Sequence, residues 1–216
     1  MNLNHLEKVL FEADDETILL SRKNCHAKNV SSLVFKNENG RLSRCFLAWN
    51  GHELSENVIG KKMPVGIHNH YYDLTITYIC GIVYNINYTS ENITKKNKDR
   101  QEVLNHIKYK SGLKNGKPTV ETVGKRFLKL DECKNIKGVK LHLPASKLHT
   151  MQAFGAAAWI VEEGDIRFDH VNLFSPYTAS QIEHFCDEFD GLYGKFDNKE
   201  QVVDHFIAFR KHYENK

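Results

Sequence analysis

The chain has 216 residues, of which 41% are hydrophobic and 26% are charged, a composition typical of one globular domain with a substantial core. Its formal net charge of +3 is small, and no basic stripe with interleaved aromatic residues occurs, so nucleic-acid binding is not expected. The longest apolar run, 153–161, is too short to cross a membrane, and residues 1–8 lack the apolar segment of a signal peptide. Five cysteines without CxxC spacing favour reduced thiols, so the sequence predicts a cytoplasmic protein without a membrane partner.

The first part of the chain predicts a helix followed by a β-hairpin. Leucines recur on one side of residues 2–13, which indicates a short amphipathic helix within a lead-in that covers 1–29. Two apolar runs, 31–35 and 41–49, then flank Asn39-Gly40. Asn-Gly between two apolar runs is a strong hairpin signal, because both positions tolerate positive φ.

Residues 66–81 predict a β-strand that carries two histidines. Successive side chains of a strand alternate between its faces, so His68 and His70 are expected on one face, about 6–7 Å apart along the backbone. Both imidazoles can then reach one metal ion. The strand pattern continues over residues 82–88.

The middle of the chain predicts further strands around one long excursion. Residues 89–118 are polar and rich in lysine, and they predict a long excursion, either a loop or a hairpin. Together with the strands described above, the strands expected after residue 118 bring the total to about nine. These later strands are expected at 119–123, 126–130, 156–161 and 169–174.

The end of the chain, 177–216, predicts two helices. Thr178 and Gln181 form a capping-box pattern at the start of the first helix. The second helix is expected to begin near Asp197. The first helix has an apolar stripe of Ile182, Phe185, Cys186 and Phe189, and the buried face of the second has Val202, Val203, Phe206 and Ile207.

A third histidine lies in a segment with a distinctive spacing. Gly138, Pro144 and His149 are spaced as in the second motif of the cupin superfamily, in which Ser146 replaces a glycine and Ala153 replaces an asparagine. The sequence therefore resembles the cupins, which are small antiparallel jelly-roll β-barrels. Members of this family hold a metal ion with a His-x-His pair from one strand and a histidine from a later strand.

The resemblance implies a mainly β, single-domain protein whose jelly-roll barrel covers residues 30–176. It also implies that His68, His70 and His149 are the metal ligands. A short N-terminal helix and two C-terminal helices would then flank the barrel.

The first cupin motif is kept only in part. Gly81 stands at its glycine position, whereas Leu74 occupies the position of its glutamate and shares the face of the two histidines by even spacing. The resemblance therefore implies a three-histidine site without the carboxylate. Asp73, the nearest carboxylate, can act as a fourth ligand or as a base only if the strand bulges.

Among cupins, three histidines without the glutamate resemble the thiol dioxygenases, which use ferrous iron. The segment 173–176, Leu-Phe-Ser-Pro, is similar to that family's Leu-Tyr-Ser-Pro. The family's tyrosine is here a phenylalanine, and its carboxylate-binding arginine would fall near Ser31 or Ser32, which argues against cysteine as the substrate. Arg41 or Arg44 can supply a cation from the neighbouring strand, although a surface position is expected for both.

Tyr72, Tyr78 and His170 are the candidate catalytic residues. Tyr72 and Tyr78 are an even number of residues from His68 and His70, so they are expected on the same face of the strand. There each either lines a pocket or packs in the core. His170 and Gln152 can hydrogen-bond a metal ligand or a bound substrate.

The function expected from these features is that of a metal-dependent cupin enzyme, with an Fe(II) dioxygenase of a small polar substrate, thiols included, favoured. Zinc, manganese and nickel also bind imidazole, so a redox-neutral isomerase, epimerase or lyase is the second reading. A non-enzymatic barrel that binds a small ligand or a protein is the third. A homodimer is compatible with all three.

Overall fold

The structure is a computed structural model. It describes residues 2–23, 25, 29–37, 39–52, 67–110, 119–181 and 194–215. The fold of these residues is mainly β, with one antiparallel sheet and few helices, as expected from the sequence. Within the described part of the chain, every helix is too short or too polar to cross a bilayer.

The described residues contain three helices with both ends described, the start of a further helix at 179–181, and twelve strands, more than the nine or so strands that the sequence predicts. The helices are α1 (Leu3–Glu12), α2 (Asp15–Ile18) and α3 (Lys199–Glu214). The first six strands are β1 (Arg22–Lys23), β2 (Val30–Lys36), β3 (Leu42–Ala48), β4 (Gly51–His52), β5 (Ile67–His68) and β6 (Tyr72–Glu91). The others are β7 (Val103–Lys110), β8 (Thr119–Asn135), β9 (Lys140–Leu143), β10 (Leu148–Ile166), β11 (Val171–Ser175) and β12 (Gly194–Lys195).

The strands pair in the order β12-β1-β2-β3-β10-β5-β11-β7-β8-β6-β9, and β4 pairs with β10. The long strands β6 and β10 also pair with each other. The order β10-β5-β11-β7-β8-β6 therefore returns to β10 and forms a ring of pairings. Strand β5, which carries His68, lies between β10 and β11 within this ring.

The β6–β10 pairing has two parts that meet at Gly81. Residues up to Cys80 pair with the later half of β10, residues from Ile82 onward pair with its first half, and the register shifts between them. Gly81 has φ +84°, and a Cβ atom added to it would lie 2.3 Å from the carbonyl oxygen of Ala156. Only glycine permits both this backbone conformation and this close approach. The bend places the start of β10, with His149, beside β5.

The sheet separates two apolar clusters, because alternate residues of β3 face opposite sides. Cys45 and Leu47 pack in the cluster that the helices α1 and α3 cover. Phe46 belongs to the second cluster, where its ring stacks on that of Trp159 at 5.5 Å. The second cluster is the one that adjoins the histidines.

Two of the expected helices are observed. Helix α1 begins after Asn2, whose side chain accepts a hydrogen bond from the backbone N–H of His5. Helix α3 begins after Asn198, two residues from the expected start. The two helices are joined by an ion pair of 2.6 Å between Arg210 and Glu7. The capping pattern of the remaining helix is also present, because the Thr178 N–H donates to Gln181 at 2.9 Å, but its apolar stripe lies outside the described residues.

Three strand predictions are corrected. The stretch 89–118 is not one long excursion, because β6 runs to Glu91 and β7 (Val103–Lys110) pairs with both β8 and β11. Its residues 111–118 lie outside the described part of the chain. The predicted strand 66–81 is interrupted after His68, and the two strands predicted within 119–130 form one strand, β8.

Candidate metal centre

Three histidines from separate parts of the chain converge at one point of the structure. His68 on β5 lies directly opposite His149 on β10, and His70 follows two residues after His68. The Nε2 atoms of His70 and His149 are 2.7 Å apart. One ring nitrogen from each of the three residues lies within 4.8 Å of the others, so the three side chains form a cluster that could hold a metal ion.

His70 reaches the cluster from outside the regular strand. The preceding residue, Asn69, donates its backbone N–H to the Asn172 carbonyl at 3.1 Å and accepts the Asn172 N–H on its side chain at 2.6 Å. The backbone N–H of His70 then donates to the carbonyl of Ala145 at 3.0 Å. These bonds, rather than the alternation of a continuous strand, fix the position of His70.

Asp73 supports the loop beside His70. Its carboxylate accepts the backbone N–H of Ala145 at 2.9 Å and the Arg167 side chain at 2.8 Å. The bond from Ala145 is the main cause of the lowered pKa of Asp73, and the bond from Arg167 is the second. The carboxylate therefore holds the turn that contacts His70, and it is not among the residues of the described cluster.

His149 is held as a neutral imidazole. Only 3% of its surface is exposed, and its Nδ1 lies 2.6 Å from the side-chain oxygen of Asn85. Burial lowers the pKa of His149 well below its ordinary value of 6.5, and the nearby His68 lowers it further. Because metal ions bind the neutral form of imidazole, this histidine is prepared to act as a ligand.

Two further asparagine contacts connect His149 to the outer part of the sheet. The amide nitrogen of Asn85 donates to the side-chain oxygen of Asn87 at 2.9 Å. The amide nitrogen of Asn87 donates to the carboxylate of Glu132 at 3.1 Å. These residues were not predicted from the sequence, although the Asn85-Ile86-Asn87 pair in the apolar stretch 82–88 repeats the spacing of His68 and His70.

A cavity of about 210 Å³ adjoins the three histidines. Its polar lining comprises the histidines, Tyr72, Arg44 and Glu163, and the Arg44 and Glu163 side chains approach to 3.4 Å. The cavity thus joins the nitrogen cluster to an apolar space with one pair of opposite charges. The apolar lining residues are Val30, Phe46, Leu74, Ile76, Met151, Trp159 and Val161.

The structure brings one of the three candidate catalytic residues to this cavity. Tyr72 lines it, and burial, followed by the nearby Glu163, raises the pKa of its phenol. Tyr78 instead donates its hydroxyl to the Gly81 carbonyl at 3.1 Å. His170 lies just before β11, with its Nδ1 2.6 Å from the carboxylate of Asp169. Neither Tyr78 nor His170 is among the described residues that line the cavity.

Other residues considered from the sequence are divided between the cavity and the rest of the sheet. Leu74 lines the cavity, as its parity predicts, and Arg44 also lines it although a surface position was expected. Arg41 forms an exposed ion pair with Asp165 at 3.1 Å. Gln152 lies opposite Tyr84 in the β6–β10 pairing and is not among the lining residues of the described cavity.

The segment similar to that of the thiol dioxygenases pairs with β5, where Leu173 lies opposite His68, but its residues are not among those that line the described cavity. The ring of Phe174 stacks on that of His106 at 4.7 Å, and Phe174 is not among the described lining residues. Ser31, near the position of that family's arginine, has its hydroxyl 2.8 Å from the Nε2 of His205. Neither residue contributes to the histidine cluster.

Two of the three imidazoles must separate slightly before they can share a metal ion. With nitrogen–metal distances of about 2.0–2.2 Å, two ligating nitrogens stand about 3.0–3.5 Å apart. The 2.7 Å separation of the His70 and His149 nitrogens is that of a hydrogen bond, so this pair must open by about half an ångström. Imidazole suits zinc, copper, iron and nickel, so the donors alone do not identify the metal.

Comparisons with known proteins do not assign the chain to a family. No protein-family model matches the sequence, and a search of curated proteins also gave no match. The geometry of the three histidines and the cavity beside them is therefore the basis for assigning a function.

Proposed function

We propose that this chain is a metal-dependent enzyme of the cupin type. His68, His70 and His149 hold one divalent metal ion, and a small organic substrate occupies the adjoining cavity. The observation that carries this proposal is the convergence of three imidazoles beside a cavity of about 210 Å³. Three protein ligands leave coordination positions open, which is typical of a catalytic rather than a structural metal site.

Two features support a cupin-type jelly-roll barrel. The ring of antiparallel pairings places the two histidine-bearing elements, β5 and β10, next to each other. Gly81, at the glycine position of the first cupin motif, occupies the bend where any side chain would meet the backbone of β10. The motif spacing and this local geometry are therefore consistent with each other.

An Fe(II) dioxygenase is the favoured activity. Within the described cluster the ligands are three histidines without a carboxylate, and Leu74 extends an apolar side chain where the cupin motif has glutamate. A bound ferrous ion would bind dioxygen and begin its reduction, and the substrate, which is oxidised, would be the net source of the electrons. The apolar walls around it exclude water from the reacting groups.

The residues of the cavity determine how a substrate is held. Phe46 and Trp159 offer a stacked apolar wall for its carbon skeleton. Arg44 offers a cation for an anionic group, and Glu163 offers an anion for a cationic one. Tyr72 remains protonated because its pKa is raised, so its hydroxyl can donate a hydrogen bond to the substrate.

A redox-neutral isomerase or lyase is the second candidate. The observation that favours it is the presence of Glu163 and Tyr72 in the same cavity, because a carboxylate and a phenol can move protons to and from a substrate. In this case the metal would act as a Lewis acid. Turnover of a substrate under strict anaerobiosis would favour this candidate over the dioxygenase.

Nitric oxide is a direct probe of the favoured function, because it binds ferrous iron at open coordination positions. Protein loaded anaerobically with Fe(II) is expected to give a high-spin iron–nitrosyl EPR signal, and the His70→Ala variant is expected to lose it. His142→Ala is the matched control, because His142 is exposed and lies outside the cluster. Absence of the signal from iron-loaded wild-type protein would contradict the dioxygenase.

A further inference from the structure

A series of hydrogen bonds runs from the histidine cluster to a carboxylate on β8. His70 Nε2 is 2.7 Å from His149 Nε2, and His149 Nδ1 is 2.6 Å from Asn85 Oδ1. Asn85 Nδ2 is 2.9 Å from Asn87 Oδ1, and Asn87 Nδ2 is 3.1 Å from Glu132 Oε2. Each distance is that of a hydrogen bond.

Glu132, at the outer end of this series, determines which group donates and which accepts in each hydrogen bond. The ionised carboxylate of Glu132 can only accept hydrogen bonds, whereas a side-chain amide has donors on its nitrogen and an acceptor on its oxygen. Asn87 must therefore turn its nitrogen toward Glu132, which leaves its oxygen facing Asn85.

The same constraint passes through Asn85 to the histidine. Because Asn87 presents an oxygen, Asn85 must present its nitrogen to Asn87 and its oxygen to His149. Only 1% of Asn85 and 7% of Asn87 is exposed, so water is not a ready alternative partner for either amide. The proton of the neutral His149 imidazole must then reside on Nδ1.

We propose that Glu132 is a positioning residue that selects the Nδ1-protonated tautomer of His149 through Asn87 and Asn85. This tautomer leaves a lone pair on His149 Nε2, which faces His70. In the metal-free protein that lone pair accepts the Nε2–H of His70. The tautomer does not depend on a metal, whereas its effect on metal affinity rests on the proposed function.

The tautomer is measured by long-range ¹H–¹⁵N NMR of the metal-free protein. Wild-type protein is expected to show a protonated Nδ1 and an unprotonated Nε2 at His149. Glu132→Gln, which can donate or accept, is expected to give a mixture of tautomers. Glu132→Lys, which can only donate, is expected to raise the Nε2-protonated fraction further.

Two variants separate this effect from a general loss of charge or fold. Glu121→Lys is the matched control, because Glu121 is an exposed acid on the same strand and lies outside the series, and it is expected to leave the tautomer unchanged. Adding Asn87→Asp to Glu132→Lys is expected to restore the wild-type tautomer, because a carboxylate at position 87 would again accept from Asn85. A merely structural role of Glu132 predicts no such rescue.

Metal affinity is the second measurement. Titration with Co(II), followed by its absorption spectrum, is expected to show affinity lower by about tenfold or more in Glu132→Lys, as for other changes behind a ligating histidine. An unchanged tautomer in both Glu132 variants, or a protonated Nε2 in wild-type protein, would overturn the proposal. A tautomer that responds as expected in a protein that binds no metal would uphold it and refute the proposed function instead.

Discussion

Replacement of Gly81 by alanine tests the bend that brings His149 beside β5. An L-residue at φ +84° costs about 1–2 kcal/mol in backbone strain. The added Cβ would also lie 2.3 Å from the Ala156 carbonyl oxygen and 2.5 Å from the Ala157 Cα, which are backbone atoms that cannot rotate away. Such overpacking costs about 1–3 kcal/mol. Together these effects predict a loss of about 2–5 kcal/mol in the free energy of unfolding.

Gly155→Ala is the matched control on the neighbouring strand. Gly155 has φ +66°, but an added Cβ would meet no atom within 4 Å, so only the backbone strain applies. Urea unfolding, followed by tryptophan fluorescence, is expected to show that Gly81→Ala loses about 1–3 kcal/mol more of the free energy of unfolding than Gly155→Ala. In a thermal scan each kcal/mol corresponds to about 2–4 °C for a domain of this size. Equal losses in the two variants would refute the close-contact argument.

Three further predictions concern the histidines and the cavity. Asn85→Ala leaves the buried Nδ1 of His149 without its partner, so isothermal titration is expected to show metal affinity about 10–100-fold lower than in wild-type protein. Burial, followed by the charge of Lys23, lowers the pKa of His205 from 6.5 to about 4. Only the unfolded state then binds this proton between these two pH values, so stability falls as the pH is lowered through this window. Allowing for the partial exposure of His205, urea unfolding is expected to show a loss of about 2 kcal/mol in the free energy of unfolding across this window. The His205→Gln variant is not expected to show this loss. Leu74→Glu buries a carboxylate in the cavity and is expected to cost about 3–5 kcal/mol without metal. Added divalent metal is expected to raise the melting temperature of Leu74→Glu more than that of wild-type protein.

The hairpin and the terminal helices could be predicted because their signals are local. Asn39-Gly40 and the adjoining apolar runs specify a turn between two strands, and β2 and β3 pair as expected. The caps of α1 and α3 likewise depend on residues within one turn of the helix start. Such signals need no knowledge of the rest of the fold.

Strand β7 was missed because its buried face is partly polar. Asn105 and Ile107 are both buried, and the side-chain amide of Asn105 donates to the Pro176 carbonyl at 3.0 Å. An asparagine at an inward position removes the apolar alternation on which strand prediction depends. The partner that makes this burial possible lies far away in the sequence.

The histidine cluster was predicted, but the sequence patterns that predicted it explain only part of how the structure forms it. The alternation of strand side chains predicted His68 and His70 on one face of a continuous strand, but His70 lies outside the strand and donates its backbone N–H to Ala145. The grouping of both residues with His149 came from the resemblance to cupins and not from spacing within one strand. Position along the chain also did not reveal that Arg44 turns toward the cavity. These features arise from contacts between distant segments, which spacing within one segment does not specify.

The measurement that tests the central claim most directly is metal content per chain. Protein purified after incubation with Fe(II), and separately with Zn(II), Mn(II) or Ni(II), is analysed by elemental mass spectrometry beside a His68→Ala, His149→Ala double variant. His142→Ala serves as the control, because its histidine is exposed outside the cluster. We expect close to one metal ion per chain in wild-type and control proteins and loss of that ion in the double variant. No bound metal in wild-type protein, or an equal amount in the double variant, would contradict the account.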